Sequence, residues 1–184
     1  MLTYTFSPFP SLEDNRLLLR RLTGNDAPQV FEMRSNPIAM KFIPRPLAKN
    51  LDDALELINL MNTKIDENEG INWGITLKGS DKIVGYIGLF RMYPENYRAE
   101  IGYMLLPEFQ NQNIVSDAIK LVLNYGFTTL QLNSIEAILD PENYSSERVL
   151  QKNGFVKEAH LLENEFWDGK FLDTYIYSIL KRNF

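Results

Sequence analysis

The sequence predicts an α/β (α+β) fold: one domain, residues 1–184, with a mixed, mostly antiparallel central sheet flanked by helices on both faces. Three observations lead to this prediction. The chain has 184 residues, of which 45% are hydrophobic, and this suffices to bury one core. Residues 71–105 alternate strand-like runs with short turns, as in an antiparallel meander. A helical stretch then precedes a further strand at residues 134–139, and such a crossover adds a parallel strand.

The first third of the chain predicts one strand and two helices. Apolar residues dominate Arg16–Leu22, the expected first strand, and Thr23–Asp26 resembles a cap before a short helix. Prolines exclude regular structure between Ser35 and Leu47. A second helix is expected after Asn50, where two aspartates suit the positive end of the helix dipole. Its apolar residues recur at helical spacing: Leu51, Ala54, Leu55, Ile58, and Met61 or Ile65.

The rest of the chain predicts the meander and four further elements. The meander strands are expected at Ile71–Leu77, Lys82–Met92 and Tyr97–Leu105, because turn residues separate these runs. The four elements after them come in a fixed order, which completes the mixed sheet. They are a helix at about Val115–Leu130, a strand at Ser134–Leu139, a helix at about Tyr144–Lys152, and two strands around the turn Trp167-Asp168-Gly169.

Composition excludes several classes of protein. Without cysteine, the chain has no disulfide, thiolate zinc site or cysteine nucleophile, and a single histidine makes a metal site unexpected. The net charge of −5 and the absence of a basic run disfavour direct nucleic-acid binding. Met1–Pro10 lacks a basic leader, and no run approaches the ~20 apolar residues of a membrane span. We therefore expect a cytoplasmic protein without a membrane partner, either a monomer or a homodimer.

Three stretches resemble the GNAT superfamily of acetyltransferases. Arg98–Glu108 (RAEIGYMLLPE) is similar to its central strand, and Gln110–Ala118 (QNQNIVSDA) occupies the place of its pyrophosphate loop. Asp140–Phe155 (DPENYSSERVLQKNGF) contains N-x-x-S-x-x-V-L-x-K-x-G-F in register. The resemblance extends from Arg16 to Lys181. Within the superfamily, the chain resembles the ribosomal-protein N-terminal acetyltransferases of RimJ/RimL type.

This resemblance implies a GNAT fold and an enzyme that transfers acetyl from acetyl-CoA to a primary amine, by direct attack and without a metal. The amine acceptor is left open between a small molecule and a protein N-terminus. By resemblance, backbone N–H groups in the strand bind the pantetheine arm and polarise the thioester carbonyl, the loop binds the pyrophosphate, and Asn143 touches the pantetheine. The residues concerned are Met104, Leu105, Leu106, Gln110, Asn111, Gln112, Asn113, Ile114, Val115, Ser116 and Asn143.

The loop departs from the family pattern at three positions. Asn111 and Asn113 stand where glycines are usual, and Val115 replaces a small residue. Asparagine is the residue that best replaces glycine in the left-handed conformation, so we expect the loop to keep its shape. The alternative is a module that binds acyl-CoA weakly and does not catalyse. The Ser116 hydroxyl has two open interpretations, as a phosphate ligand or as a helix cap.

Glu100 is the candidate general base. Strand alternation places Glu100, Gly102 and Met104 on one face, away from the face that carries Ile101. A carboxylate there can accept the proton of the attacking amine. The alternative is an exposed strand carboxylate paired with an arginine, Arg91 or Arg98.

Ser146 is the candidate acid for the departing thiolate. Many relatives use a tyrosine on the last helix, but Leu150 stands at that place, and the RimL-like branch is similar to this chain in offering a serine. Ser146 follows the expected cap Asn143 and lies in the first helical turn, where the dipole favours a developing thiolate. A capping hydroxyl without chemistry is the alternative interpretation, and Tyr144 is a lesser candidate.

The other polar and aromatic residues predict less. His160 is expected at the surface or in packing, and Trp73 and Trp167 are expected in the core or the cleft wall. By resemblance, three residues border the acceptor site: Phe42, Arg45 and Tyr93.

Overall fold

A computed structural model describes residues 2–184, which form an eight-stranded sheet with four α-helices. The strand order is β1-β2-β3-β4-β5-β6-β8-β7. The strands are β1 Leu12–Glu13, β2 Leu17–Arg20, β3 Ile71–Leu77, β4 Ile83–Tyr93, β5 Arg98–Leu105, β6 Ser134–Leu139, β7 Val156–Trp167 and β8 Lys170–Leu180. The helices are α1 Ala27–Ser35, α2 Leu51–Asp66, α3 Ile114–Asn124 and α4 Tyr144–Lys152.

The sheet confirms the predicted mixed architecture. Every pair of neighbouring strands is antiparallel except β5 and β6, which are parallel. The parallel pair arises because α3 carries the chain across the sheet between these two strands, as such connections require.

Both faces of the sheet are covered by helices, as predicted. On one face, residues such as Trp73 and Ile101 pack in a core with α3 and Leu150 of α4. On the other face, Met104 packs in a second core with α1 and α2. Ile101 and Met104 lie on opposite faces of β5 because side chains alternate along a strand.

Two elements end earlier than the sequence predicted. The first long strand ends at Arg20, and its guanidinium binds Asp26 (Nη2–Oδ1 2.7 Å) in the short 3₁₀ turn at Gly24–Asp26 that follows. α3 ends at Asn124, and the expected continuation to Leu130 is a π-helical turn at Tyr125–Thr129. The two-residue strand β1 was not foreseen, since its pattern is too short to predict.

Candidate active site

The candidate site is a gap between β5 and β6, the two parallel strands. Their pairing is limited to three positions and ends where Glu100 lies opposite Glu136. Beyond that point β5 remains paired with β4 as far as Leu105, and β6 remains paired with β8 as far as Leu139. The two strands therefore part, and a gap opens towards their carboxyl ends.

Backbone groups of β5 line this gap. The Leu106 N–H donates to the Val84 carbonyl (2.9 Å), and alternation along the antiparallel ladder turns the N–H of Met104 to β4 as well. Neither N–H is free to polarise a carbonyl in the gap, contrary to the expectation for Met104 and Leu106. Leu105, together with Tyr103, presents its N–H towards the gap.

The loop before α3 has the conformation that glycines would give. Asn111 has φ 58° and Asn113 has φ 63°, so both lie in the left-handed region as predicted. The first bond back into the helix is donated by the Asp117 N–H to the Asn113 carbonyl (3.0 Å). The N–H groups of the preceding helical residues, 114–116, therefore point beyond the helix end, where anions bind.

Two cationic side chains flank this loop. Arg16 Nη1 donates to the Gln112 carbonyl (2.8 Å), and Lys152 Nζ donates to Asn113 Oδ1 (2.7 Å). Glycine could not hold the lysine in this way, since it has no side-chain oxygen. Helical N–H groups, the helix dipole and two cations together suit a diphosphate, so the residues present fit the pyrophosphate of CoA.

Within the loop, three predicted ligands can contribute only through their backbone or not at all. Ser116 is buried, and its hydroxyl exchanges hydrogen bonds with Asn153 (3.0 and 3.2 Å). The hydroxyl therefore neither binds phosphate nor caps the helix, and both interpretations of this hydroxyl are wrong. The Ile114 side chain is fully buried, and that of Val115 packs partly buried against the same core. Gln110 and Gln112 are exposed beside the loop.

Glu100 is buried on the face of β5 that looks towards α1 and α2. Arg91 Nη1 lies 2.8 Å from Glu100 Oε2, while Arg98 pairs with Glu136. Of the two possible partners, Arg91 is therefore the one that binds Glu100, and the alternative interpretation is wrong only in making this carboxylate exposed. Burial raises the pKa of Glu100, and the charges of Arg91 and Arg98 oppose this rise.

A bulge in β4 brings Arg91 to Glu100. The register of β4 against β5 shifts between Phe90 and Tyr93, and Arg91 within this shift has φ 45°. A bulge redirects a side chain at the expense of a less favourable backbone conformation. The unfavourable backbone conformation of Arg91 thus accompanies an ion pair inside the candidate site.

Gly102 gives the same face of β5 room for an aromatic ring. A Cβ at Gly102 would lie 2.6 Å from Cε1 of Phe90, closer than real atoms approach. The Phe90 ring therefore lies over Gly102, next to Glu100. Glu165 of β7 is near enough for its charge to raise the pKa of Glu100, so the β7–β8 hairpin reaches this side of the gap.

Ser146 lies at the start of α4, on the face of the sheet opposite Glu100. Asn143 caps the helix as predicted: its Oδ1 accepts from the Ser146 N–H (3.2 Å) and from the Ser145 hydroxyl (3.0 Å). Ser146 is half-buried, and its side chain lies beside the Tyr103 hydroxyl and lowers the pKa of that group.

Tyr103 is a residue of the site that the sequence reasoning missed. Its hydroxyl is buried and has no partner in hydrogen-bond geometry among residues 2–184. Burial raises the pKa of Tyr103 to about 12, so the phenol keeps its proton at neutral pH. The available signal was strand alternation, which placed Tyr103 on the face opposite Glu100 without showing what it would meet.

The remaining candidates lie around this gap or outside it. Tyr93 is partly exposed beside Arg98, whose guanidinium carbon is 6.0 Å from the ring centre. Phe42 and Arg45 lie in the irregular segment between α1 and α2, as predicted. His160 is exposed and binds Asp173 (2.8 Å), which confirms a surface role.

The two tryptophans differ in burial. Trp73 is a core residue whose Nε1 donates to the Pro10 carbonyl (2.6 Å), and Trp167 lies partly exposed at the end of β7.

From residue 2 to 184, no three His, Cys, Asp or Glu side chains are grouped to hold a metal ion. In the same part of the chain no helix has the length and apolarity that crossing a membrane requires.

Sequence comparison decides the family. Residues 16–156 match the acetyltransferase (GNAT) domain. The chain belongs to the GNAT acetyltransferase family. It is 35% identical over 173 residues to the uncharacterized N-acetyltransferase YoaA of Bacillus subtilis (strain 168), covering 94% of this chain and 98% of YoaA. This GNAT protein is therefore an acetyl-CoA-dependent acetyltransferase, and its fold is the GNAT fold that the sequence predicted.

Two further GNAT proteins have acceptors in their names. YdaF of Bacillus subtilis (strain 168), provisionally named a ribosomal N-acetyltransferase, is 32% identical over 113 residues, which is 61% of each chain. The crystal structure of spermidine N-acetyltransferase from Vibrio cholerae in complex with CoA and spermine superposes with a TM-score of 0.80 at 25% identity. That match covers 92% of this chain and 98% of the Vibrio chain.

Proposed function

We propose that this GNAT protein transfers acetyl from acetyl-CoA to the N-terminal α-amine of a protein, as the RimJ/RimL-type enzymes it resembles do with ribosomal proteins. Glu100 is the general base in this proposal, and Ser146 is the proton donor to the thiolate. The loop Gln110–Ser116 holds the pyrophosphate through its backbone, and Leu105 and Asn143 bind the pantetheine arm.

The observation that carries the proposal is that the two catalytic candidates lie next to one gap, on opposite faces of the sheet. Glu100 lies on the α1 and α2 face of β5, whereas Ser146 lies at the start of α4, beside Tyr103 on the other face. Acyl transfer needs a base next to the incoming amine and an acid next to the outgoing sulfur. An arrangement with one group on each side of the thioester meets both needs.

The roles of the other residues follow from their contacts. The Leu105 N–H, which points into the gap, can donate to the thioester oxygen as negative charge develops on it. Arg91 keeps Glu100 ionised and oriented, because the pair requires the carboxylate form. The first turn of α4 presents its positive dipole end to the departing sulfur, which lowers the energy of the thiolate.

The charges beside Glu100 favour an acceptor that loses its proton easily. An N-terminal α-amine has a pKa of about 8, so about one molecule in ten is neutral at pH 7. A primary amine such as that of lysine has a pKa of about 10.4 and is almost wholly protonated there. Both buried carboxylates, Glu100 and Glu136, already have arginine partners, and this leaves little negative potential to bind a polycation.

A polyamine is the second candidate acceptor. It is suggested by the similarity to the spermidine N-acetyltransferase from Vibrio cholerae, and by one acidic residue that reaches the site. The charge of Glu165 is felt at Glu100, so this carboxylate could bind a second amine of the acceptor.

A thiol-release assay across an amine panel tests the proposal. The panel contains peptides with free or blocked N-termini, spermidine, and an aminoglycoside, each with acetyl-CoA. We expect turnover with the free N-terminal peptides and none with the blocked ones. Faster turnover with spermidine, lost in Glu165→Gln but kept with the peptides, would transfer the assignment to polyamines.

A binding measurement separates the enzyme from an inactive acyl-CoA-binding module. Acetyl-CoA at ten times its dissociation constant should raise the free energy of unfolding by about 1.4 kcal/mol, which thermal unfolding detects. The left-handed asparagines of the loop support such binding. Stabilisation without turnover on any amine would favour the module.

A further inference from the structure

The Tyr103 hydroxyl is the buried polar group that the chemistry above does not use. It belongs to the face of β5 opposite Glu100 and is without a hydrogen-bond partner in the described residues, although a buried hydroxyl normally has one. Such a group in a cleft is energetically unfavourable unless something completes it. The completing group must come from a rearranged neighbour or from the bound substrate.

Ser146 is the neighbour that can complete it. Its side chain lies against the phenol, and its backbone N–H is fixed by the Asn143 cap, so the serine backbone cannot drift away. Rotation about the serine side-chain bond can bring the two oxygens into hydrogen-bond geometry. Both hydroxyls keep their protons at neutral pH, and the phenol is the more acidic of the two, so within such a pair the phenol donates and the serine oxygen accepts.

We propose that Tyr103 is the positioning residue of the proton donor: its hydroxyl donates to Ser146 Oγ and so directs the serine proton towards the departing sulfur. A serine hydroxyl rotates freely and by itself has no preferred direction. With its oxygen occupied by the phenol proton, its own O–H points into the gap. The donor chain then runs from Tyr103 through Ser146 to sulfur.

The proton balance of the step is complete with these groups. The amine nitrogen bonds to the thioester carbon, the carbon–sulfur bond breaks, and its electron pair leaves on sulfur. The amine proton goes to Glu100 and then to water. The sulfur receives the Ser146 proton, Ser146 receives that of Tyr103, and Tyr103 regains one from water after CoA leaves. This inference rests on the proposed function for its turnover arm but not for its binding arm.

The binding arm compares CoA with desulfo-CoA, which lacks the sulfur, at pH 8.5, close to the ordinary pKa of a cysteine thiol, so that part of the CoA is present as the thiolate. We expect wild type to bind CoA more tightly than desulfo-CoA. Tyr103→Phe and Ser146→Ala should reduce this preference by at least about threefold. Tyr125→Phe is the matched control, because burial also raises the pKa of Tyr125 to about 12, but its ring packs on Trp73 in the core (5.6 Å).

The turnover arm measures kcat with saturating peptide and acetyl-CoA. Tyr103→Phe should lower kcat about 10- to 100-fold and leave the acetyl-CoA dissociation constant within about twofold. The double variant with Ser146→Ala should lose little more than either single variant, since both act on one proton. The melting temperature of Tyr103→Phe should equal or exceed that of wild type, because this substitution removes an unpartnered buried hydroxyl.

Four results would overturn the proposal. The first is an unchanged preference for CoA over desulfo-CoA in Tyr103→Phe. The second is a kcat of Tyr103→Phe that lies within twofold of the wild-type value. A multiplicative loss in the double variant would show separate roles, and a parallel fall of melting temperature and kcat would show a structural one. Absence of turnover in wild type would contradict the proposed function, and the desulfo-CoA comparison would still decide the role of Tyr103.

Discussion

Two glycine substitutions in the loop before α3 would separate what its asparagines do through the backbone from what they do through the side chain. Asn111 and Asn113 have almost the same backbone conformation, φ 58° and 63°. The Asn113 side chain also accepts a hydrogen bond from Lys152 Nζ (2.7 Å). Asn111→Gly and Asn113→Gly therefore change the backbone alike and differ in the contact with the lysine.

The magnitudes follow from these contacts. A left-handed conformation costs an average residue about 1–2 kcal/mol, and asparagine less. Glycine recovers part of this strain but adds about 0.4–1 kcal/mol of freedom to the unfolded chain, so stability should change by less than about 1 kcal/mol in both variants. The exposed Lys152 contact contributes about 0.5–1 kcal/mol, a factor of about two to five in a dissociation constant.

Calorimetric titration with CoA at low salt measures the difference. We expect Asn113→Gly to weaken binding about two- to fivefold and Asn111→Gly to stay within about twofold of wild type. Lys152→Met should weaken binding at least as much as Asn113→Gly, because it removes the cation itself. Equal affinities for the two glycine variants would refute a role for the lysine contact. Tighter binding by the double glycine variant would show that the asparagines impair the loop.

Two further predictions concern the base. Glu100→Gln should lower kcat at pH 7 by about 10²-fold with acetyl-CoA affinity unchanged, and the defect should shrink at pH 9.5, where more acceptor is neutral; equal defects at both pH values would contradict a role in proton transfer. Arg91→Ala should move the acid limb of kcat/KM to higher pH, because it removes the charge that opposes the raised pKa of Glu100. Arg91→Lys, which keeps that charge, should move the limb less, and an unshifted limb in Arg91→Ala would rule out Glu100 as its source.

The architecture could be predicted because each element has a local cause. Turn residues delimit β3, β4 and β5, and Asn50 and Asn143 cap the helices that begin at the next residue. The left-handed loop was also predictable, since it depends on what asparagine can adopt. These features need only neighbouring residues to form. For that reason one sequence was enough to find them.

The electrostatics of the site could not be predicted in the same way. The sequence left Arg91 and Arg98 open as partners of Glu100, and the choice of Arg91 depends on a bulge of which the sequence of β4 gives no sign. Glu136 becomes a neighbour of Glu100 through the parallel register of two strands whose paired residues are 36 positions apart in the sequence, which no local pattern fixes. The contact of Tyr103 with Ser146 depends likewise on how α4 packs over the gap.

The two buried carboxylates explain why the site holds two arginines. Glu100 and Glu136 are opposite each other in the parallel register, and both are buried, which disfavours a charged carboxylate. Arg91 pairs with Glu100 and Arg98 with Glu136, so Glu100 can remain ionised although it is buried. Burial keeps the pKa of Glu100 above the ordinary value, which makes this carboxylate a better proton acceptor. The charge of Arg91 limits how far that pKa rises. A base balanced in this way suits an acceptor amine that is already partly neutral, and so the charges around Glu100 and the proposed α-amine acceptor support each other.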